Sequence, residues 1–194
     1  MKVNFIDNGD SFADMIAAYL TIAGADVVMH RSNCSLDTSV RRNPDLIVLG
    51  PGPNGPREAG NYMELLDRYH KELPFFGICL GFQAMMEYFG QPVGRLDDIV
   101  HGAKVPVDHN GTGIFDGIIR PADFARYNSL GVYAAPEPFE ITATYNHIVM
   151  AARHKCLPIE GVQFHPESVL SMANDNGIKL FQNVLKNLAA KNHG

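Results

Sequence analysis

Between Lys2 and Gly90 the sequence alternates short apolar runs with segments of helical periodicity. "KVNFI" (2–6), "ADVVMH" (25–30), "DLIVLG" (45–50) and "PFFGIC" (74–79) are too short for helices and read as buried strands. Between them lie "SFADMIAAYLTIAG" (11–24), a short helix near 36–42, the amphipathic "EAGNYMELLDRYHKE" (58–72) and "LGFQAMMEYFG" (80–90). Gly24 and Gly90 stop two of these helices, as left-handed C-terminal residues do. Parallel strands need a crossover, so this alternation predicts an α/β fold: an open, mostly parallel sheet in three layers, flanked by helices on both faces.

From Pro92 to about Ile159 the signals become short and strand-like, as in "AKVPVDH", "FARYNSLGVY", "FEITATY" and "HIVMAARH", with "HNGTG" as a turn. A mixed, antiparallel hairpin portion is expected there. "IEGVQF" (159–164) returns to a buried strand. In "NGIKLFQNVLKNLAA" (176–190) Ile178, Phe181, Leu185 and Leu188 share one helical face, with Leu180 and Val184 beside it. No repeat, low-complexity tract or linker interrupts residues 1–194, so one domain is expected.

Composition narrows the function. A net charge of −5 supplies no basic footprint for nucleic acid. The apolar runs fall well short of the roughly 20 residues a membrane span requires. "MKVNFIDNGDSF" meets polar and acidic residues too early for a signal peptide. Cys34, Cys79 and Cys156 are too scattered for a disulfide framework or a C-x-x-C metal site, which fits a reducing cytoplasm.

Three stretches carry chemistry, each directly after a strand. "GICLG" (77–81) has the form of a nucleophile elbow with a thiol at its apex. Such a turn strains the central residue and projects it from the carboxyl end of a strand, where open α/β sheets bind ligands. The helix that follows directs its positive N-terminus at the sulfur and favours thiolate. A buried structural cysteine is the bland alternative. In "GVQFHPES" (161–168) Pro166 biases His165 to extended geometry, which turns His165 and Glu167 to the same side. Imidazole as base and carboxylate as its orienter would complete a set with Cys79. A solvated histidine in a loop, or a Cys–His–carboxylate metal site, are the alternatives. "LGPGPNGP" (49–56) is a stiff turn whose backbone N–H groups suit a developing oxyanion, though by itself it is equally an ordinary surface turn.

In order and spacing these stretches resemble the class I glutamine amidotransferases, over essentially the whole chain. That family's marks are a P-G-P-G-type loop, a G-x-C-x-G-x-Q elbow and a terminal F-H-P-E. "DNGDSF" (7–12), "VHGAKVPVDHNGTGIFDGI" (100–118), "RYNSL" (126–130) and "RHKCLPIEGVQFHPES" (153–168) are most similar to the branch of small, glutaminase subunits that serve anthranilate synthase. The resemblance implies a flavodoxin-like amidotransferase fold and a division of roles. Cys79 would attack the side-chain amide of L-glutamine, His165 would move the proton and Glu167 would orient His165. The N–H groups of Gly52 and Leu80 would form the oxyanion hole. Gln83, with the backbone around Ser129 and Leu130, would hold the amino-acid end of the substrate. It implies a partner too, a chorismate-binding synthase large subunit that makes anthranilate for tryptophan. No cofactor or metal belongs to this chain, and magnesium is expected on the partner.

The chain departs from the family wording at Gly50 (usually serine), Asn54 (glycine), Phe82 (histidine) and Asn128 (histidine). Three other functions compete with the leading one. The small component of aminodeoxychorismate synthase, on the folate pathway, is the nearest, and one such chain can serve both synthases. The glutaminase of GMP synthetase is more distant. A non-catalytic flavodoxin-like module, with "DNGDSF" cradling an anion, is a rival of another class.

Overall fold

The apolar runs of the first half form β1 (Lys2–Asp7), β2 (Asp26–Arg31), β3 (Leu46–Leu49) and β4 (Phe75–Ile78) in the computed structural model, which describes residues 1–189. Around them lie α1 (Ala13–Ile22), α2 (Leu36–Ser39), α3 (Tyr62–Tyr69) and α4 (Leu80–Tyr88). The middle of the chain supplies β5 (Gly94–Arg95), β6 (Ala103–His109), β7 (Ala122–Arg126), β8 (Leu130–Gly131), β9 (Phe139–Tyr145) and β10 (Ile148–His154). It closes with β11 (Ile159–Val162) and α5 (Asn176–Ala189). The last residue of the helix expected over 176–190 lies outside the described residues.

Nine of the described strands make one sheet in the order β2-β1-β3-β4-β11-β10-β9-β6-β7, and β5 pairs with β8 separately. From β2 to β11 every pairing is parallel, and from β11 to β7 every pairing is antiparallel. Burial follows this division. β3, β4 and β11 are buried at every residue, whereas β6 alternates, with Val105, Val107 and His109 inward. Residues of one strand separate onto two cores. Val3, Phe5, Leu46 and Val48 pack with residues of α1 and α5, while Ile6, Ile47 and Leu49 pack with residues of α3 and α4. Leu180, Phe181, Val184 and Leu188 are each 2% exposed or less. At about 1.5–3 kcal/mol per buried side chain they hold α5 to the sheet.

Two segments differ from the sequence expectation. The helix expected over 58–72 is a 3₁₀ turn at Pro56–Glu58 followed by α3. Gly60 breaks it at φ +57°, where its backbone passes so near Ser32 that a Cβ would lie 2.3 Å from the Ser32 carbonyl oxygen. "FARYNSLGVY" is divided as well: β7 ends at Arg126 and β8 begins at Leu130, and Tyr127–Ser129 cross between two sheets. That crossing borders the site described next.

Candidate active site

β4 and β11 are parallel neighbours, with Ile78 opposite Val162. Cys79 follows β4 directly, and its N–H donates to the Val162 carbonyl at 2.9 Å. His165 leaves the same edge, tied by its N–H to the Ala125 carbonyl at 2.9 Å. Parallel pairing therefore brings both side chains to the carboxyl edge of the sheet.

The elbow is real and strained: Cys79 has φ 52° and ψ −101°. Its glycines permit a backbone crossing. A Cβ on Gly77 would lie 2.6 Å from the Gly81 carbonyl carbon, and one on Gly81 would lie 2.1 Å from the Leu49 carbonyl oxygen. The Gly81 N–H donates to the Gly50 carbonyl at 3.1 Å, which ties the elbow to the "LGPGPNGP" loop. Between two prolines in that loop, Gly52 has its N–H; among the described residues neither it nor the Leu80 N–H donates to a protein acceptor.

His165 is 2% exposed and Glu167 is fully buried. His165 Nδ1 lies 2.6 Å from Glu167 Oε1. An ionised carboxylate only accepts, so Nδ1 carries the proton of this bond and Nε2 is the nitrogen left for exchange. Phe12 and Tyr127 place their rings 5.1 Å from the imidazole, and Ser171 Oγ donates to the His165 carbonyl at 2.6 Å. Burial alone would lower the imidazole's proton affinity. The Glu167 carboxylate and the Cys79 sulfur, acting by charge and by hydrogen bonding, outweigh it and hold His165 well above the ordinary histidine value.

That direction fixes a pH dependence. A raised folded-state pKa contributes stability that is complete below the unfolded value near 6.5 and is lost as pH rises through the folded value. Glu167→Gln removes a main cause of the shift. Its destabilisation is expected to be largest near pH 6 and to shrink as the wild-type imidazole deprotonates, measured by urea unfolding across pH. An equal loss at all pH would contradict it.

Beside the sulfur is a cavity of about 190 Å³ lined by Gly52, Asn54, Cys79, Gln83, Tyr127 and Leu130, among others including Ser129. The expected site residues Cys79, Gly52, Gln83, Ser129 and Leu130 thus border one space. Leu80 has its N–H at the start of α4, and His165, hydrogen-bonded to Cys79 and to Glu167, lies outside the cavity lining. A larger open groove of about 560 Å³ over α3, lined by Leu36, Met63 and Tyr88, contains none of them. Among the described residues no group of three or more His, Cys, Asp or Glu side chains is placed to hold a metal ion.

Sequence reasoning missed Gln163. It is fully buried, and its Nε2 points at Cys79 Sγ across 3.7 Å. Its signal was available: it lies in the expected strand "IEGVQF", two residues before His165, where the alternation of a strand would set both on one side. The "DNGDSF" loop differs from an anion cradle. Asp7 Oδ1 accepts from the N–H groups of Gly9 and Asp10, Asp10 Oδ1 accepts from that of Phe12, and Arg31 pairs with Asp7. The loop satisfies itself and delivers Phe12 to the imidazole.

The departures have local explanations. Asn54 sits at φ 67°, a conformation asparagine tolerates. At Gly50 a Cβ would lie 2.6 Å from the Phe5 ring, so a serine there would require Phe5 to move. Phe82 is fully buried among Leu80, Met85 and Ile159.

The sequence signature of the family described as "Glutamine amidotransferase class-I" matches residues 4–186. The chain belongs to that family. It is 40% identical over 192 residues to anthranilate synthase component 2 of Methanocaldococcus jannaschii, covering 95% of this chain and 96% of that one. It is also 40% identical over 184 residues to aminodeoxychorismate synthase component 2 of Escherichia coli, covering 93% and 97%. Aminodeoxychorismate/anthranilate synthase component 2 of Bacillus subtilis is 39% identical over 170 residues, covering 86% and 88%. The crystal structure of a Thermoplasma acidophilum protein assigned to GMP synthase superposes with a TM-score of 0.86, covering 99% of this chain and 96% of that one. At 24% identity that likeness establishes the fold of this amidotransferase. Among its described residues no helix is long and apolar enough to cross a membrane.

Proposed function

We propose that this amidotransferase hydrolyses L-glutamine at Cys79 and delivers the ammonia to a chorismate-binding synthase subunit that forms anthranilate. The observation that carries the reading is the 2.6 Å contact of His165 with Glu167, on an imidazole that the strained Cys79 also faces. The Cys79 thiolate attacks the side-chain amide carbon and forms a C–S bond, while the Gly52 and Leu80 N–H groups receive the oxyanion. His165 protonates the departing nitrogen, the C–N bond breaks, and ammonia leaves a γ-glutamyl thioester. Water, deprotonated by His165, attacks the thioester; the C–S bond breaks and glutamate is released. Gln83 and the Ser129–Leu130 segment hold the amino-acid end. No step draws on a cofactor in this chain, and magnesium belongs to the partner.

The partner follows from what the chain lacks. No block of its sequence is accounted for as a chorismate site, and free ammonia is protonated at neutral pH and then not nucleophilic, so direct transfer between cytoplasmic subunits is useful. The names of the relatives support both chorismate branches. The deciding experiment mixes the purified chain with an anthranilate synthase and an aminodeoxychorismate synthase large component, each supplied with chorismate and glutamine. Glutamine-dependent anthranilate is the expected product. Aminodeoxychorismate alone would move the chain to the folate branch, and no product with either would end the assignment.

A further inference from the structure

We infer that Asn128 is a positioning residue, the central link of a partly buried hydrogen-bond relay that runs from Asp98 on the β5–β6 connection to the Cys79 sulfur. The inference rests on the glutaminase reading above and concerns how its site is held in shape.

The relay begins at Arg126, whose side chain is fully buried next to the Tyr127–Ser129 crossing. Its Nη2 donates to the Asp98 carbonyl at 2.9 Å and its Nη1 to Asp98 Oδ2 at 3.5 Å, with the Tyr145 ring 5.8 Å away. Its Nε donates to Asn128 Oδ1 at 3.0 Å. Asn128 Nδ2 donates to the Leu130 carbonyl at 2.8 Å, and Gln83 Nε2 donates to the same oxygen at 2.9 Å. Gln83 Nε2 also donates to Gln163 Oε1 at 3.1 Å, and Gln163 Nε2 reaches Cys79 Sγ at 3.7 Å.

The direction of each link is imposed by the chemistry of its partner. A guanidinium has no acceptor, so Asn128 must turn its oxygen to Arg126 and its NH₂ to Leu130. A carbonyl cannot donate, so Gln83 must offer both hydrogens of its NH₂, one to Leu130 and one to Gln163. Gln163 must then receive with oxygen, which leaves its NH₂ for the sulfur. Two consequences follow for the site. Gln83 presents its oxygen, an acceptor suited to the ammonium of an amino acid, and Cys79 faces an N–H donor. The buried charge at Arg126 thereby orients Asn128, Asn128 holds the Leu130 carbonyl in place, and that carbonyl orients Gln83 and, through it, Gln163.

This also accounts for asparagine where the family commonly has histidine. A neutral imidazole offers one acceptor and one donor, the same pair that Asn128 uses. Aspartate offers two acceptors; it would keep Arg126 and set an oxygen against the Leu130 carbonyl.

The test measures glutamate release by this chain in complex with the anthranilate synthase large component, with melting temperature as a control. Asn128→Asp is expected to raise KM for glutamine about tenfold, with a smaller fall in kcat, because the Leu130 carbonyl loses one of its two donors and faces a carboxylate oxygen that pushes it away from Gln83. Asn128→His is expected to stay within about threefold of wild type. A general loss of structure would not divide KM from kcat, nor would histidine rescue it. An unchanged KM in Asn128→Asp, or equal damage in both variants, overturns the relay. Should Asn128→Asp prove too unstable to purify, Asn128→Ala removes the bond to the Leu130 carbonyl without adding an oxygen. A KM rise of about threefold there supports the relay, and no rise overturns it. Failure of the underlying reading looks different: wild type would release no glutamate and Cys79 would resist 6-diazo-5-oxo-L-norleucine, and the relay would fall with it.

Discussion

Replacing Cys79 with serine is expected to abolish glutamine-dependent product formation, by at least about 10⁴-fold in kcat, while the partner continues to use ammonium salts. The hydroxyl is a far weaker nucleophile than the thiolate it replaces, and its proton is much harder to remove. Serine is nearly isosteric, and the residue is only 9% exposed, so the fold and the partner contact should survive. Ammonia-dependent synthesis by the complex therefore separates a chemical defect from a structural one. Glutamine use by the variant complex equal to wild type would show that the proposed nucleophile is the wrong residue. Mass spectrometry after treatment with a diazo-ketone analogue of glutamine gives an independent reading, since one adduct on Cys79 is expected and none on the variant.

The second large effect concerns stability as well as activity. Gly81→Ala puts a methyl group 2.1 Å from the Leu49 carbonyl oxygen and 2.7 Å from the Leu49 carbonyl carbon. Those atoms belong to β3, which is held between β1 and β4, so neither a rotamer change nor a local shift can relieve the clash. Overpacking commonly costs about 1–3 kcal/mol, and a contact this short against strand backbone belongs at the upper end. For a chain of this size the melting temperature should fall by about 6–12 °C. Activity should fall further than stability, because the methyl displaces the start of α4, where the Leu80 N–H is proposed to meet the oxyanion, and small misplacements at a reacting centre are costly. Gly94→Ala provides the control: nothing lies within 4 Å of a Cβ there, and a change within about 0.5 kcal/mol is expected. Equal melting temperatures for the two variants would contradict the crossing argument.

Much of the fold could be read from local pattern, for identifiable reasons. β3 and β4 are buried on both faces, so their sequences are continuously apolar and bounded by Gly and Pro; β11 is equally buried, although it carries Glu160. α5 shows its periodicity because one face meets the sheet and the other meets water. What failed was decided at a distance. Gly60 breaks the expected 58–72 helix because Ser32, far away in sequence, lies against it. The division of "FARYNSLGVY" depends on β7 pairing with β6 while β8 pairs with β5, and no local property distinguishes the two partners.

The site divides in the same way. Local sequence determined the components: a thiol between glycines after a strand, an imidazole and a carboxylate joined through proline, and a loop stiffened by prolines. Those are short-range matters of backbone geometry and residue chemistry. Tertiary structure alone decided which polar groups meet. Parallel pairing of β4 with β11 joins Cys79 to residues such as Gln163, 84 positions later in the chain. A buried guanidinium orients Asn128, and the Leu130 carbonyl that Asn128 holds orients Gln83 and Gln163, residues that nothing in the sequence links. Hydrogen bonds to partners remote in the chain leave no periodic trace, because they are set by the register of strands and not by the residues on either side.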